Sequence, residues 1–288
     1  MHQLPILHQP SPSSALSATR TRMLALRQDT LGEQLDWLAT EEPLEMRVQG
    51  PGQAMVRVAV TMRTPGHDRE LAVGFLYTEG LIHARDEIVA IETENPADDQ
   101  APCNVVTVHL TRPIDLTAVQ RNFFTTSSCG ICGKTSLDQI AVHCAPVAPG
   151  PVLDRTVLET LPTTLRKAQQ LFAQTGGLHA CGLFEVTGQL VSLHEDVGRH
   201  NAVDKVVGQM VLEGKVPLTN QVLLVSGRTS LEIMQKAAMA QVPIVCAVSA
   251  PSSLAVEVAR RFRMTLVGFL RETQCNVYTH PERLALDH

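Results

Sequence analysis

Cys129 and Cys132 form a Cys-x-x-Cys pair within Ser128-Cys129-Gly130-Ile131-Cys132-Gly133-Lys134. Thiols at this spacing can meet each other, share a metal or exchange sulfur. Glycine after each cysteine permits a tight turn and keeps the sulfurs approachable. Ser136 and Gln139 have the spacing of a capping box, which predicts a helix starting just after the pair. Its positive end, with Lys134 nearby, favours thiolate over thiol. A thiolate is the form that attacks a sulfane sulfur and holds it as a persulfide.

Three rival chemistries share the pair. Zinc deaminases require H-x-E followed later by P-C-x-x-C. Here Ser128 stands where the proline would be. No upstream ligand has a glutamate two residues on: His67 has Arg69, His83 has Arg85, His109 has Thr111 and Cys103 has Val105. Deamination is rejected. A structural zinc site that recruits His179 and Cys181 stays open on spacing, although a second tight ligand pair is missing. A thioredoxin-like redox pair should follow the first strand of its domain, and here a whole small unit comes first. Two nucleotide-loop resemblances fail. Gly133-Lys134-Thr135 lacks the leading glycine, since position 128 is Ser128, and Gly50-Pro51-Gly52 is followed by Met55 where glycine is needed.

The elements around the pair fall into two groups. Residues 1–20, rich in Ser and Pro, read as a disordered arm. The span 21–125 reads as a small α+β roll. Its predicted strands are 36–39, 44–48, 54–62, 88–92 and 104–110, with one helix over 69–79 capped by Asp68. The span 126–288 reads as an α/β domain. After a helix over 137–143 and an irregular Pro-rich stretch 145–151, a helix over 164–175 stops at Gly176-Gly177. Strands 183–186 and 189–194 flank a turn at Thr187-Gly188. Apolar strands 222–225, 243–248 and 265–270 then alternate with three helices. Their expected caps are Asn201, Thr229 or Ser230, and Ser252 or Ser253. This pattern predicts a mainly parallel sheet covered on both faces.

Composition narrows the function classes. The chain has 288 residues, 44% of them hydrophobic, and a formal net charge of −5. A mildly acidic chain has no broad field to hold nucleic acid or anionic lipid. No apolar run approaches the ~18 residues of a membrane span. No secretory signal is visible, so a cytoplasmic location is expected. Seven cysteines, an odd number with one close pair, suggest thiols rather than a disulfide framework. Cys103, Cys144, Cys181, Cys246 and Cys275 read as core residues.

Two further clusters could bind or catalyse. The turns 226–230 and 249–253 follow apolar strands and precede helices. Such places bind phosphates, and Arg228 and Arg271 are candidate partners. Ordinary helix caps would look the same. The run His194–Asn201 holds two histidines, two acids, an arginine and an asparagine. It reads as a site or as a buried hydrogen-bonded corner.

Taken together, Ser128–Gly133, Glu195–Lys205 and Ser226–Ser230 resemble the formate dehydrogenase accessory family FdhD. Glu70–Leu76 and Leu266–Phe269 match as well. The resemblance spans roughly residues 30 to 285. It implies a cytidine-deaminase-like three-layer α/β/α domain without a zinc centre, preceded by the small roll domain. It also implies a sulfurtransferase. A cysteine desulfurase would load Cys129 with sulfur as a persulfide, and Cys132 would be a relay or resolving thiol. The sulfur would then pass to the molybdenum bis(guanine dinucleotide) cofactor destined for formate dehydrogenase. Cofactor contacts would fall on Phe269, Leu270, Arg271, Glu272, Thr273 and Gln274. No resident metal is implied, and a homodimer is. The alternative is a chaperone that binds the cofactor and formate dehydrogenase without covalent chemistry.

Overall fold

A computed structural model of the chain describes residues 17–28, 30–94, 104–115 and 144–286. Cys129, Cys132, Cys103 and the helix expected over 137–143 lie outside these residues.

The chain opens with a hairpin of β1 (Ala18–Arg27) and β2 (Thr30–Ala39), paired antiparallel over ten residues. Strand β1 thus begins inside the stretch read as an arm, and most of the hairpin was not anticipated. A four-stranded sheet follows, in the order β4-β3-β6-β5. Its strands are β3 (Glu42–Gln49), β4 (Val56–Arg63), β5 (Ile88–Glu94) and β6 (Val105–Leu110). Helix α1 (Asp68–Thr78) covers one face, burying Leu71, Val73 and Leu76 as their spacing requires. Asp68 does not cap α1. The cap position is His67, in a left-handed conformation, and Asp68 accepts two hydrogen bonds from Arg63 at 2.9 and 3.0 Å. The Arg63 side chain is fully buried, so its need for a carboxylate prevails over capping.

The larger sheet runs β13-β12-β11-β10-β8-β9. These are β8 (His179–Glu185), β9 (Leu190–Asp196), β10 (Gln221–Val225), β11 (Ile244–Ala247), β12 (Thr265–Gly268) and β13 (Asn276–Thr279). Only β10-β11-β12 are parallel. The β8-β9 hairpin and β13 join antiparallel, so the sheet is mixed rather than mainly parallel. The hairpin was expected, but β8 pairing directly with β10 makes that whole edge antiparallel. Strand β13 is only four residues long, too short for its Val277, Tyr278 and Thr279 to leave a clear pattern.

Helices cover both faces, and the alternation of strand residues sorts them. Cys181, Leu183, Leu223, Val225, Val245 and Ala247 face one core with α4 (Arg199–Leu212), α5 (Leu231–Met239) and α6 (Ser253–Arg261). Ala180, Phe184, Val222, Leu224, Ile244 and Cys246 face the other with α2 (Arg155–Ala168). Helix α2 starts earlier than expected, after the two-residue strand β7 (Leu153–Asp154). Asp154 caps it by accepting from Thr156 N at 2.7 Å. The expected single helix is split at Gln169, and α3 (Gln170–Thr175) ends at Gly176 with φ 69°. The final β14 (Leu284–Ala285) pairs with β7.

The first core extends without interruption into the four-stranded unit. Helices α1 and α4 touch backbone to backbone. A Cβ on Gly74 would sit 1.8 Å from Asp204 O, and one on Gly208 would sit 1.8 Å from Glu70 O. Only glycine permits that approach.

Candidate functional site

Strands β10, β11 and β12 end side by side, and a cleft of ≈ 1130 Å³ opens over their carboxyl ends, on the α2–α3 side. That position is where open α/β sheets hold ligands. Its walls come from several places in the chain. Pro162, Thr163, Leu165, Arg166 and Lys167 of α2 form one side, and Phe172 of α3 the next. Ser226 and Val248 directly follow β10 and β11. Leu270, Arg271, Glu272 and Thr273 follow β12.

Backbone pairing holds these ends in register. Ser226 N donates to Ala180 O at 2.9 Å, and Ala180 N donates to Ser226 Oγ at 2.8 Å. Leu270 N donates to Ala247 O at 2.9 Å, and Arg271 N closes a turn onto Gln274 O at 2.8 Å. The Arg271 guanidinium donates to Val248 O and to Leu270 O, which ties the turn to the end of β11. Glu272 accepts from Thr163 Oγ1 at 2.6 Å and joins the turn to α2.

The lining is cationic. Among the described residues, Arg166, Lys167 and Arg271 stand against the single acid Glu272. Arg166 lies over the Phe172 ring at 4.3 Å, which presents a flat, charged surface to the cleft. His179 reaches the same rim. Burial, then the charges of Arg199 and Arg228, hold His179 below the usual imidazole range, so it is a neutral donor and acceptor.

Of the six residues singled out for cofactor contact, Leu270, Arg271, Glu272 and Thr273 line this cleft. Phe269 and Gln274 instead border a shallow hollow of ≈ 260 Å³ with Cys275 and Asn276. Phe269 has φ 53° and is exposed, turned away from the main cleft. Arg228 is exposed and outside the lining. Arg166, Lys167 and Phe172 had no signal in the sequence, since cations in the last turn of a helix are commonplace.

The polar run His194–Asn201 proves to be a bonded corner. Asp196 is fully buried and accepts from Gly198 N (2.8 Å), Asn201 Nδ2 (2.9 Å) and Thr64 N (3.2 Å), and it pairs with Lys205 Nζ at 2.7 Å. Asn201 therefore sits inside α4 rather than capping it. Gly198 holds the cap position, and the Asn201 amide bridges Asp196 to Met62 O at 2.8 Å. Glu195 accepts from Leu171 N and Phe172 N at 2.9 and 2.8 Å, fixing the start of α3 and so the Phe172 wall. A second network joins Asp204, Lys236, Thr78 and Glu79 across α4, α5 and α1.

The described cysteines sit in the core or half-buried. Cys181 and Cys246 are fully buried and burial pushes both thiols up, while Cys144 is pushed up to about 11. Cys181 faces the apolar core beside Leu183, which makes it a poor zinc ligand.

Comparison with known proteins agrees with this architecture. A crystal structure of a protein from Desulfotalea psychrophila, assigned as a formate dehydrogenase accessory protein, superposes with a TM-score of 0.71 at 26% identity, covering 93% of this chain and 99% of the other. A protein of Nocardia farcinica named sulfur carrier protein FdhD is 49% identical over 253 residues, 86% of this chain and 88% of its own. A Streptomyces avermitilis protein of the same name is 46% identical over 274 residues, covering 93% and 95%. The model of the FdhD/NarQ family matches residues 39–285. The chain belongs to the FdhD/NarQ family.

Proposed function

We propose that this chain is a sulfur carrier of formate dehydrogenase maturation. A cysteine desulfurase loads Cys129 as a persulfide, Cys132 relays or resolves it, and the sulfur passes to a molybdenum bis(guanine dinucleotide) cofactor before that cofactor enters formate dehydrogenase. The observation that carries the reading is the cationic cleft at the strand ends, lined by Leu270–Thr273, Arg166 and Lys167. A dinucleotide cargo is large and polyanionic, and this cleft offers volume, a flat aromatic wall and guanidinium groups that fit phosphates. The names of the relatives support the sulfur chemistry. The six-stranded sheet with helices on both faces has the layering expected of a cytidine-deaminase-like domain, preceded by the small roll. A homodimer in the cytoplasm completes the proposal; among the described residues, no helix is long and apolar enough to cross a membrane.

Transfer needs a nucleophile and a held acceptor. The Cys129 thiolate attacks the donor's sulfane sulfur, the donor thiolate leaves, and Cys129 keeps the outer sulfur. The cleft residues supply position and charge balance rather than covalent chemistry.

The test is intact-protein mass spectrometry after incubation with a cysteine desulfurase and cysteine. Wild type gains the mass of one sulfur and Cys129→Ala does not. A Cys129→Ala protein that still supports active formate dehydrogenase would leave the cofactor-binding chaperone in its place.

A further inference from the structure

The β1–β2 hairpin stands out from the body of the molecule. It is tied down at its base, where Ala18 is buried, Thr40 N donates to Ser17 O at 3.0 Å and Ser17 Oγ donates to Pro65 O at 2.8 Å. From there its ladder runs roughly 30 Å outward. The register sorts its side chains. Leu26 pairs with Leu31, Leu24 with Glu33, Arg22 with Leu35 and Arg20 with Trp37, so all of these share one face. Leu24, Leu26, Leu31 and Leu35 are each more than half exposed, Leu26 at 73%. Over the same span the other face carries Thr21, Ala25, Gly32, Gln34 and Asp36, which are small or polar.

Two observations say what covers the leucine face. A two-stranded hairpin is marginally stable in water by itself, so this one needs a partner that is always present. A second copy of the chain meets that condition and a transient client does not. The charges agree. Arg20 and Arg22 lie on β1 and Glu33 on β2 of the same face, so the face is its own electrostatic complement. Two such faces laid together about a two-fold axis along the hairpin put β1 of one copy over β2 of the other. Leu26 then meets the other copy's Leu31, and Arg22 stands beside its Glu33. Arg20, which lies 5.8 Å from the centre of the Trp37 ring in its own hairpin, meets a second Trp37.

We infer that this hairpin face is a self-association surface, on which a second copy of the chain packs its own hairpin, leucine on leucine and Arg22 against Glu33. The inference rests on the homodimer proposed above and names its contact.

The test is sedimentation velocity of the full chain. Wild type should sediment as a dimer. Leu26→Asp combined with Leu31→Asp should weaken dimerisation at least tenfold. Arg22→Glu and Glu33→Arg should each do the same, because a two-fold contact repeats every like-charge clash. An equimolar mixture of these two charge-reversed proteins should form a heterodimer with wild-type affinity, since each reversed side chain then meets its opposite sign. That recovery also shows that both proteins are folded. A monomeric wild type overturns the surface and the homodimer together. A dimer that survives the leucine substitutions or the charge reversals, or a mixture that stays monomeric, overturns the surface and leaves the homodimer standing. Sulfur loading of Cys129 is read separately by mass and bears on neither.

Discussion

Lys205 Nζ lies 2.7 Å from Asp196 Oδ2, and neither side chain reaches solvent. The pair joins the end of β9 to α4, and Lys205 also donates to Thr64 O at 2.9 Å, beyond the end of β4. Both sheets are thereby tied at one charged point. Removing one member leaves the other charge buried. Lys205→Met should destabilise the protein by about 3–5 kcal/mol. Urea unfolding would measure it, and a variant within 1 kcal/mol of wild type would show that the remaining hydrogen bonds to Asp196 suffice.

The close crossing of α1 and α4 gives a steric prediction. Gly74→Ala and Gly208→Ala each place a methyl where a backbone oxygen stands 1.8 Å away. Helices would have to separate, at a cost of at least ~1–3 kcal/mol. Gly32→Ala, which meets nothing within 4 Å, is the control. Equal melting temperatures for Gly74→Ala and Gly32→Ala would refute the crossing.

His194 predicts a pH dependence. Burial, then His67, depresses its pKa from 6.5 to about 4, and its ring packs edge-on against His67 at 4.4 Å. The unfolded chain takes up a proton on this residue near pH 6.5 while the folded chain does not. Stability from this group is therefore intact above pH 6.5 and is lost as pH falls toward about 4. At pH 5 the loss is about 2 kcal/mol. Urea titrations at pH 7.5 and 5.0 should show it in wild type, and His194→Asn should flatten the difference.

Arg271 predicts a split between loading and delivery. Its guanidinium fixes the turn that ends the cleft, and Arg271 lines that cleft. Arg271→Lys removes the fork while keeping the charge, so formate dehydrogenase activity in cells should fall about tenfold or more, the size expected for losing a charged hydrogen bond. Sulfur loading of Cys129 should be unchanged. Equal loss of both would place Arg271 in the loading step.

Much of this layout was legible in the residues. Apolar runs at β10, β11 and β12 are buried on both faces, and such runs leave an unambiguous mark. The density of polar types at 194–201 marked a corner, although not which residue would cap a helix. Asn201 and Asp68 were misplaced for one reason: a buried partner at the end of the preceding strand, Asp196 or Arg63, claimed each side chain, and capping rules look only at the helix that follows. The β1–β2 hairpin was hidden by its surroundings. Its ladder leaves Leu24, Leu26, Leu31 and Leu35 exposed on one face, so no core pattern announces it. The cleft's α2 wall was illegible, because ordinary helix-end cations become a site only when the strand ends arrive opposite them.

The glycine contact between α1 and α4 has a bearing on how the molecule can work. Two helices locked at the level of their main chains leave no bearing surface on which the four-stranded unit could swing. A cargo entering at the strand ends would meet a chassis already set, and its arrival should register in spectra as changes local to the cleft, with the β3–β6 amides silent.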